Sequence, residues 1–219
     1  RPLLDALPDF QNLSPEAWAD VESRLVRQTL ARGECALIED EHSDRLFFVA
    51  RGRLKLLKTS ASGREHILRL LRPGDSFNEV AVLDDGPAPA TAVVLEPVTL
   101  YYLRRKDMLE LMARYPTIAE QVTQYLVRQL RHVVSMVEDL SFRHVTSRLA
   151  KLLLSQAQDG QSSGGSLRER LTQQDMAAMI GTAREVVARS LRDLEERGAI
   201  RIEQRRIIIV NRALLQELA

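Results

Sequence analysis

Thr172-Gln173-Gln174-Asp175-Met176-Ala177-Ala178-Met179-Ile180-Gly181-Thr182-Ala183-Arg184-Glu185-Val186-Val187-Ala188-Arg189-Ser190-Leu191 is the stretch that decides how this sequence folds. Thr172 is an N-cap type with an acid, Asp175, three positions on, and the pair precedes a short apolar run that Gly181 stops. Thr182-Ala183-Arg184-Glu185 repeats the start signal. Two short helices about a glycine-containing turn form a helix-turn-helix, whose second helix is shaped to lie in a DNA major groove.

The angular arrangement of that second helix sharpens the reading. With Arg184 at 0°, Ala188, Arg192, Glu185 and Arg189 fall at about 40°, 80°, 100° and 140°, while Val186, Ser190, Leu194, Val187 and Leu191 fall between about 200° and 340°. One face is core, and the other presents arginines around one small residue. A small side chain lets the helix approach base edges, where Arg pairs with guanine and Glu accepts from a cytosine amino group. Arg184, Glu185, Ala188 and Arg189 are the candidate base readers. Plainer roles compete for Glu185, as the acid of a Thr182 capping box or as the i,i+4 partner of Arg189. Beyond the helix, Glu195 to Val210 reads as a helix end and two short strands about a basic turn. This is a wing, or on the plainer reading an edge hairpin, with Arg205 and Arg206 at its tip within reach of phosphates. Thr172, Gln173, Gln174, Thr182, Arg205 and Arg206 make up the candidate phosphate-contacting set.

The charge distribution agrees. The 219 residues carry 31 Lys+Arg and 30 Asp+Glu, a net charge of +1 that by itself calls for no polyanionic partner. Residues 141–219 hold 13 of the basic and 9 of the acidic side chains, net +4, which leaves −3 for the rest. Hydrophobic residues at 45% and aromatic residues at 5% are ordinary globular usage and exclude collagen-like, low-complexity and wholly disordered chains. The single cysteine, Cys35, excludes internal disulfides, zinc fingers and cysteine-ligated clusters. No apolar run nears the roughly 18 residues that cross a bilayer, and the first residues lack a signal-peptide pattern, so no membrane association and a cytoplasmic location are expected. The chain starts at Arg1 rather than Met, so any sensor ahead of it lies outside this sequence.

Working further toward the N-terminus, three textures appear. Ser14-Pro15-Glu16 opens a short helix within residues 14–28. From about 30 to 104 the chain is β-rich, in runs such as Leu46–Val49, Leu54–Leu57 and Val98–Tyr102. Gly52, Gly63, Gly74 and Gly86 recur 11, 11 and 12 residues apart, as turns do in an antiparallel barrel or sandwich. After Pro116 the pattern is helical. Val122, Leu126, Gln129, Val133, Met136 and Leu140 step by three or four, and a second row through Leu126, Leu130, Val133, Val137 and Leu140 widens the stripe. A stripe this wide exceeds one contact surface, which predicts a dimer formed through Val122, Leu126, Leu130, Val133, Val137 and Leu140; a helix lying wholly on its own barrel is the alternative. A third region starts near Phe142, continues as helix through Leu154, and meets a Gly/Ser-rich loop at 158–166.

On these residues the chain resembles, over nearly its whole length, the cyclic-AMP receptor protein / fumarate and nitrate reduction regulator (CRP/FNR) family of bacterial transcription factors. The matching stretches are Pro73-Gly74-Asp75-Ser76-Phe77-Asn78-Glu79, Glu138-Asp139-Leu140-Ser141-Phe142, Val145-Thr146-Ser147-Arg148-Leu149-Ala150 and, most specifically, 172–191. The resemblance implies an α+β chain: a β jelly-roll effector domain over 1–115, a dimerisation helix over 116–141 and a winged helix-turn-helix over 142–219. It also implies double-stranded DNA, a second copy of the chain and RNA polymerase as partners. In the cyclic-AMP receptor branch an Arg-Glu pair and an Arg four residues after the Glu read a TGTGA-type half-site, and Arg184, Glu185 and Arg189 occupy those positions. The oxygen-sensing branch has Ser immediately before that last Arg and lacks the first; here those positions are Ala188 and Arg184.

The effector side departs from the receptor pattern. Glu79 is kept, but the preceding Gly is Asn78, and the Arg-Ser that meets the cyclic phosphate aligns with Pro89 and Ala90. The adjacent Thr and Ser that meet the base align with Val133 and Val134. With these six residues as its effector pocket, the chain is not expected to use cyclic AMP. The alternative within the family is a haem- or gas-responsive regulator, for which His66 and His132 are candidate iron ligands. The four histidines, His42, His66, His132 and His144, include no close pair, so a metal-dependent cupin enzyme is not expected. No catalytic or metal-binding residue is assigned.

Overall fold

A computed structural model describes residues 13–162, 171–203 and 206–219, with side chains 158–162 excepted. The chain divides into two compact units, Arg1–Arg131 and His132–Ala219.

The first unit opens with α1 (Pro15–Arg24), whose N-cap Ser14 accepts a hydrogen bond from Ala17 N. The helix ends short of residue 28 because Leu25 turns extended and Val26–Leu30 forms strand β1. After β2 (Cys35–Leu37), the runs 46–49 and 54–57 prove to be one strand, β3 (Arg45–Thr59). Gly52 is therefore no turn. It lies within β3, where the pairing register slips several times, at φ +84°, and a Cβ there would stand 2.3 Å from the Pro97 carbonyl oxygen. Gly63 and Gly74 do sit at turns, leading into β4 (Glu65–Leu71) and β5 (Ser76–Phe77). Helix α2 (Glu79–Asp84), strand β6 (Thr91–Arg104) and helix α3 (Arg105–Arg114) follow.

The sheet is antiparallel throughout, ordered β1-β6-β3-β4, with β2 added to β6 and β5 to β3. The bulges bend the two long strands, β3 and β6, around a core of Phe47, Leu54, Leu71, Phe77, Val94 and Leu100. The rings of Phe47 and Phe77 stack at 4.9 Å. This is the antiparallel jelly-roll domain of the expected α+β class. A second core joins Val21 of α1, Met108 and Leu111 of α3, and Ile118 and Val122 of the next helix.

That helix, α4 (Pro116–Phe142), changes character along its length. Ile118, Val122 and Tyr125 are buried in the first unit, whereas Leu130, Val133, Val134, Val137 and Leu140 are exposed. Val122 is buried in the core of its own unit, and Leu126 is half-buried against the same core. A three-four stripe long enough to meet two surfaces does not say which residues meet which.

In the second unit, α5 (Val145–Ser162) runs five residues into the stretch read as loop. One glycine inside a helix costs only about 1 kcal/mol, which a continuing hydrogen-bond ladder tolerates. Residues 163–166 of that stretch lie outside the described residues. Helices α6 (Gln173–Ile180), α7 (Arg184–Glu196) and α8 (Arg212–Leu218) and the hairpin β7 (Ile200–Glu203) and β8 (Arg206–Ile209) enclose a core of Leu149, Met176, Val187, Leu191, Leu194 and Leu215. No described helix is long and apolar enough to cross a membrane.

Candidate nucleic-acid interface

The N-terminus of α6 forms as its sequence dictates. Thr172 Oγ1 accepts from Asp175 N at 3.0 Å, and the Asp175 carboxylate accepts from Thr172 N at 3.1 Å. The Thr172 hydroxyl donates to the same carboxylate at 2.6 Å, so its proton is already committed within the helix start. Gln173 is half-buried and Gln174 exposed. Gly181 closes α6 in the left-handed region at φ +66°, where a Cβ would be strained, and Thr182 N then donates to Ala177 O.

The second helix begins one residue later than its start signal suggests. Its N-cap is Ala183, which has no capping side chain, so Thr182 and Glu185 form no capping box. Val187, Ser190, Leu191 and Leu194 are buried, while Arg184, Glu185, Arg189 and Arg192 are exposed and Ala188 is half-buried between them. The two faces divide as the helical geometry requires. Among the described residues Glu185 and Arg189 form no ion pair, and neither do Arg184 and Arg192. Among the described residues nothing pairs with the three cations and one carboxylate of this face.

Two anchors that sequence reasoning did not identify hold this helix. The buried Ser190 hydroxyl meets the Thr146 hydroxyl of α5 at 3.1 Å. Glu195 Oε1 accepts from Ile202 N at 2.7 Å and ties the end of α7 to the first wing strand. Ser190 stood out only as a polar residue on an apolar face, and no local pattern marks Glu195. In the wing, Glu203 pairs in register with Arg206, which is exposed, and Arg201 reaches Glu203 at 3.3 Å. Arg205 lies outside the described residues.

The effector segment is in the first unit. Asn78 takes a left-handed conformation at φ +76°, and its amide donates to the Ser43 and Arg45 carbonyl oxygens at 3.3 and 2.9 Å. Asn tolerates this region better than most side chains, so it keeps the backbone turn while pinning it to the neighbouring strand. Glu79 opens α2 with its carboxyl enclosed. Burial pushes its pKa up, against the Ser76 hydrogen bond and the Arg69 charge, and Oε1 has no partner. Ala90 is buried, whereas Pro89 is exposed. Val133 and Val134, on the exposed part of α4, belong to the second unit.

Sequence reasoning missed the groups around Glu79. Arg69 of β4 donates to Asp75 Oδ1 at 2.8 Å and to the Tyr125 hydroxyl at 2.6 Å, and that hydroxyl donates to Ser76 O at 3.0 Å. The only available signal was Tyr125 itself, an aromatic residue beside an otherwise aliphatic stripe. Of the candidate haem ligands, His66 has a buried, unpartnered Nε2 and His132 is exposed. Cys35 is an exposed free thiol on β2. No group of three or more His, Cys, Asp or Glu side chains among the described residues is placed to hold a metal ion.

Comparison with known proteins matches both units. A cyclic nucleotide-binding domain model covers residues 27–115, and a Crp-like helix-turn-helix domain model covers residues 147–218. The chain is 34% identical over 203 residues to the CRP-like cAMP-activated global transcriptional regulator of Mycobacterium tuberculosis, covering 91% of each. It is 33% identical over 212 residues to the cyclic AMP receptor protein of Thermus thermophilus, covering 97% of this chain and 96% of that one. Among solved structures, the Thermus thermophilus catabolite activator protein is similar at 32% identity and a TM-score of 0.58, over 97% of this chain and 98% of that one.

Proposed function

This chain belongs to the CRP/FNR family and is a DNA-binding transcription regulator, and from that membership we propose that it works as a homodimer on a palindromic TGTGA-like site, without cyclic AMP as its effector. The single observation that carries the DNA half is the exposed face of α7, where Arg184, Glu185 and Arg189 surround half-buried Ala188 and have no ion-pair or hydrogen-bonding side-chain partner among the described residues. Arg184 and Arg189 match guanine edges, and Glu185 matches a cytosine amino group. Gln173, Gln174, Thr182, Arg205 and Arg206 serve phosphates, and Thr172 serves mainly as the cap that presents Gln173.

The dimer reading rests on the exposed part of α4. Leu130, Val133, Val137 and Leu140 recur at heptad spacing with 64%, 50%, 58% and 41% of their surface exposed, which only a second apolar surface would cover. A two-fold axis along this helix places the half-sites about one DNA turn apart, roughly 34 Å. The functional division is an effector domain over 1–115, the dimer helix over 116–141 and the DNA-binding domain over 142–219. RNA polymerase is the partner this arrangement serves.

The effector half rests on charge. A buried phosphate needs a cation or several donors. Pro89 supplies neither a charge nor an N–H, Arg69 is already engaged by Asp75 and Tyr125, and Glu79 adds negative charge. The names of the two relatives favour the opposite outcome, so a direct titration decides between the readings. Selection of bound sequences from a random DNA pool is expected to return paired TGTGA-like half-sites, and calorimetric titration with cyclic AMP and cyclic GMP to show no micromolar binding. Unrelated selected sequences overturn the first reading, and nucleotide binding that switches on DNA affinity overturns the second.

A further inference from the structure

The outer face of the β sheet is only partly covered. Leu46 and Phe48 of β3 and Leu103 of β6 pack there with Met108 and Leu111 of α3. Farther along the same strands, the in-register pairs Thr29 with Thr99 and Arg51 with Thr99 set one side chain from each of β1, β6 and β3 in a single row. The alternate residues Leu30, Val98 and Leu100 belong to the β core, so the row points outward. Directly opposed side chains lie about 5 Å apart, which puts two hydroxyls beside one guanidinium. Arg27 stands two positions from Thr29 on β1, about 7 Å along the same face. Arg27, Thr29 and Arg51 are exposed and Thr99 is half-buried, and neither arginine has an ion-pair or hydrogen-bonding side-chain partner among the described residues.

A bulge creates this row. Strand β3 pairs Val49 with Leu100 and then Arg51 with Thr99, so Ala50 is taken up as an extra residue. Without that slip Ala50 would stand opposite Thr99, and the row would hold no cation. Bulges re-aim side chains in this way and gather beside functional sites. A second slip follows at Gly52, whose approach to Pro97 leaves no room for a Cβ. Here the surface is hollowed into a cleft of about 600 Å³, lined by Thr29, Arg51, Gly52, Glu96, Pro97 and Thr99. Small-molecule sites run from about 300 to 1,000 Å³. Glu96 is the carboxylate of the lining, and its Oε1 accepts from Arg53 Nη2 at 2.9 Å.

Arginine presents a planar fork of donors that matches phosphate oxygens, and each threonine hydroxyl adds one donor more. A phosphate ester carries close to two negative charges at neutral pH, which balances Arg27 and Arg51 together, whereas a carboxylate balances only one. Glu96, with one oxygen held by Arg53, keeps a second oxygen to accept from a hydroxyl. We propose that this cleft binds the phosphate ester of a small polyhydroxy compound, with the phosphate on Thr29, Thr99, Arg51 and Arg27 and a hydroxyl of the ester on Glu96. The site shares no residue with the effector segment at 78–90 and does not depend on the DNA-binding reading.

The test is a titration of the full chain, labelled with nitrogen-15, by glucose 6-phosphate, inorganic phosphate and glucose at low salt. Amides 27–30, 51–53 and 98–99 are expected to shift saturably with glucose 6-phosphate, at about threefold lower concentration than with inorganic phosphate, and to stay in place with glucose. Arg51→Gln removes a charge-assisted contact and is expected to raise the dissociation constant about tenfold, and Thr99→Val about threefold, with cooperative melting retained. Arg51→Lys keeps the charge without the fork and recovers only part of the loss. Unchanged affinity in Arg51→Gln overturns the proposal, as do shifts confined to other parts of the chain. Equal affinity for glucose 6-phosphate and inorganic phosphate overturns the role given to Glu96.

Discussion

Arg189 and Arg206 both present a full charge to solvent, yet removing them is expected to have different effects. Arg189→Ala removes a base reader and should weaken binding to the selected site by about 1–3 kcal/mol and relax preference at one guanine. Arg206→Ala should weaken every sequence alike and lower the salt slope by about one unit. Competition binding with single-base variants of the site separates the two, and preference unchanged in Arg189→Ala would return that residue to a merely solvated role. Glu79 has a pH signature of its own. Its folded pKa is raised by burial, so the folded state binds more protons than the unfolded state above the ordinary glutamate range, and stability falls as pH rises through the folded pKa. Glu79→Gln should therefore raise the melting temperature at pH 8, with the gain shrinking as pH drops below that pKa; a gain independent of pH would mean that the charge is not its cause. At Gly52, φ is +84° and a Cβ would meet Pro97 O at 2.3 Å, so Gly52→Ala should cost at least about 2 kcal/mol in chemical denaturation.

The paired substitutions Leu130→Asp and Val137→Asp act at the level of a whole helix. Both side chains are exposed, at 64% and 58%, and neither contributes to a core of its own unit, so the variant should fold, sediment as a monomer and lose operator affinity. A dimer that survives would move the interface off α4. Leu126 and Val122 are poor choices for the same test, because damage to the β domain would masquerade as lost dimerisation. These helices show what the sequence could and could not convey. The two faces of α7, the capping box of α6 and the wing were legible because helical angle, cap chemistry and alternation are local properties. The split of α4 between two surfaces was not, since apolar spacing is the same whichever surface a residue meets. Gly52 read as a turn because a bulge and a turn both call for positive φ. The contact of Arg69 with Tyr125 spans 56 positions, and Glu195 with Ile202 joins a side chain to a backbone amide, so neither leaves a periodic trace.

Across the whole molecule the near-zero net charge conceals a basic C-terminal part, and that asymmetry should govern how binding responds to salt. A dimer that neutralises about six phosphates should lose about 10³ in affinity between 50 and 200 mM salt, whereas a flat response would show that charge plays no part in the grip. Stability is shared between two units with separate cores, so a substitution such as Gly52→Ala in the first should leave the helix-turn-helix core of the second intact, as hydrogen exchange at Val187 and Leu191 would show. The sequence holds one cysteine, and the structure puts its thiol at the surface of the β domain. A nitroxide attached to Cys35 marks each protomer once, with no other thiol to remove, and a symmetric pair then yields a single spin-to-spin distance. That distance is a ruler between the two effector domains, readable in frozen solution with and without DNA or candidate effectors.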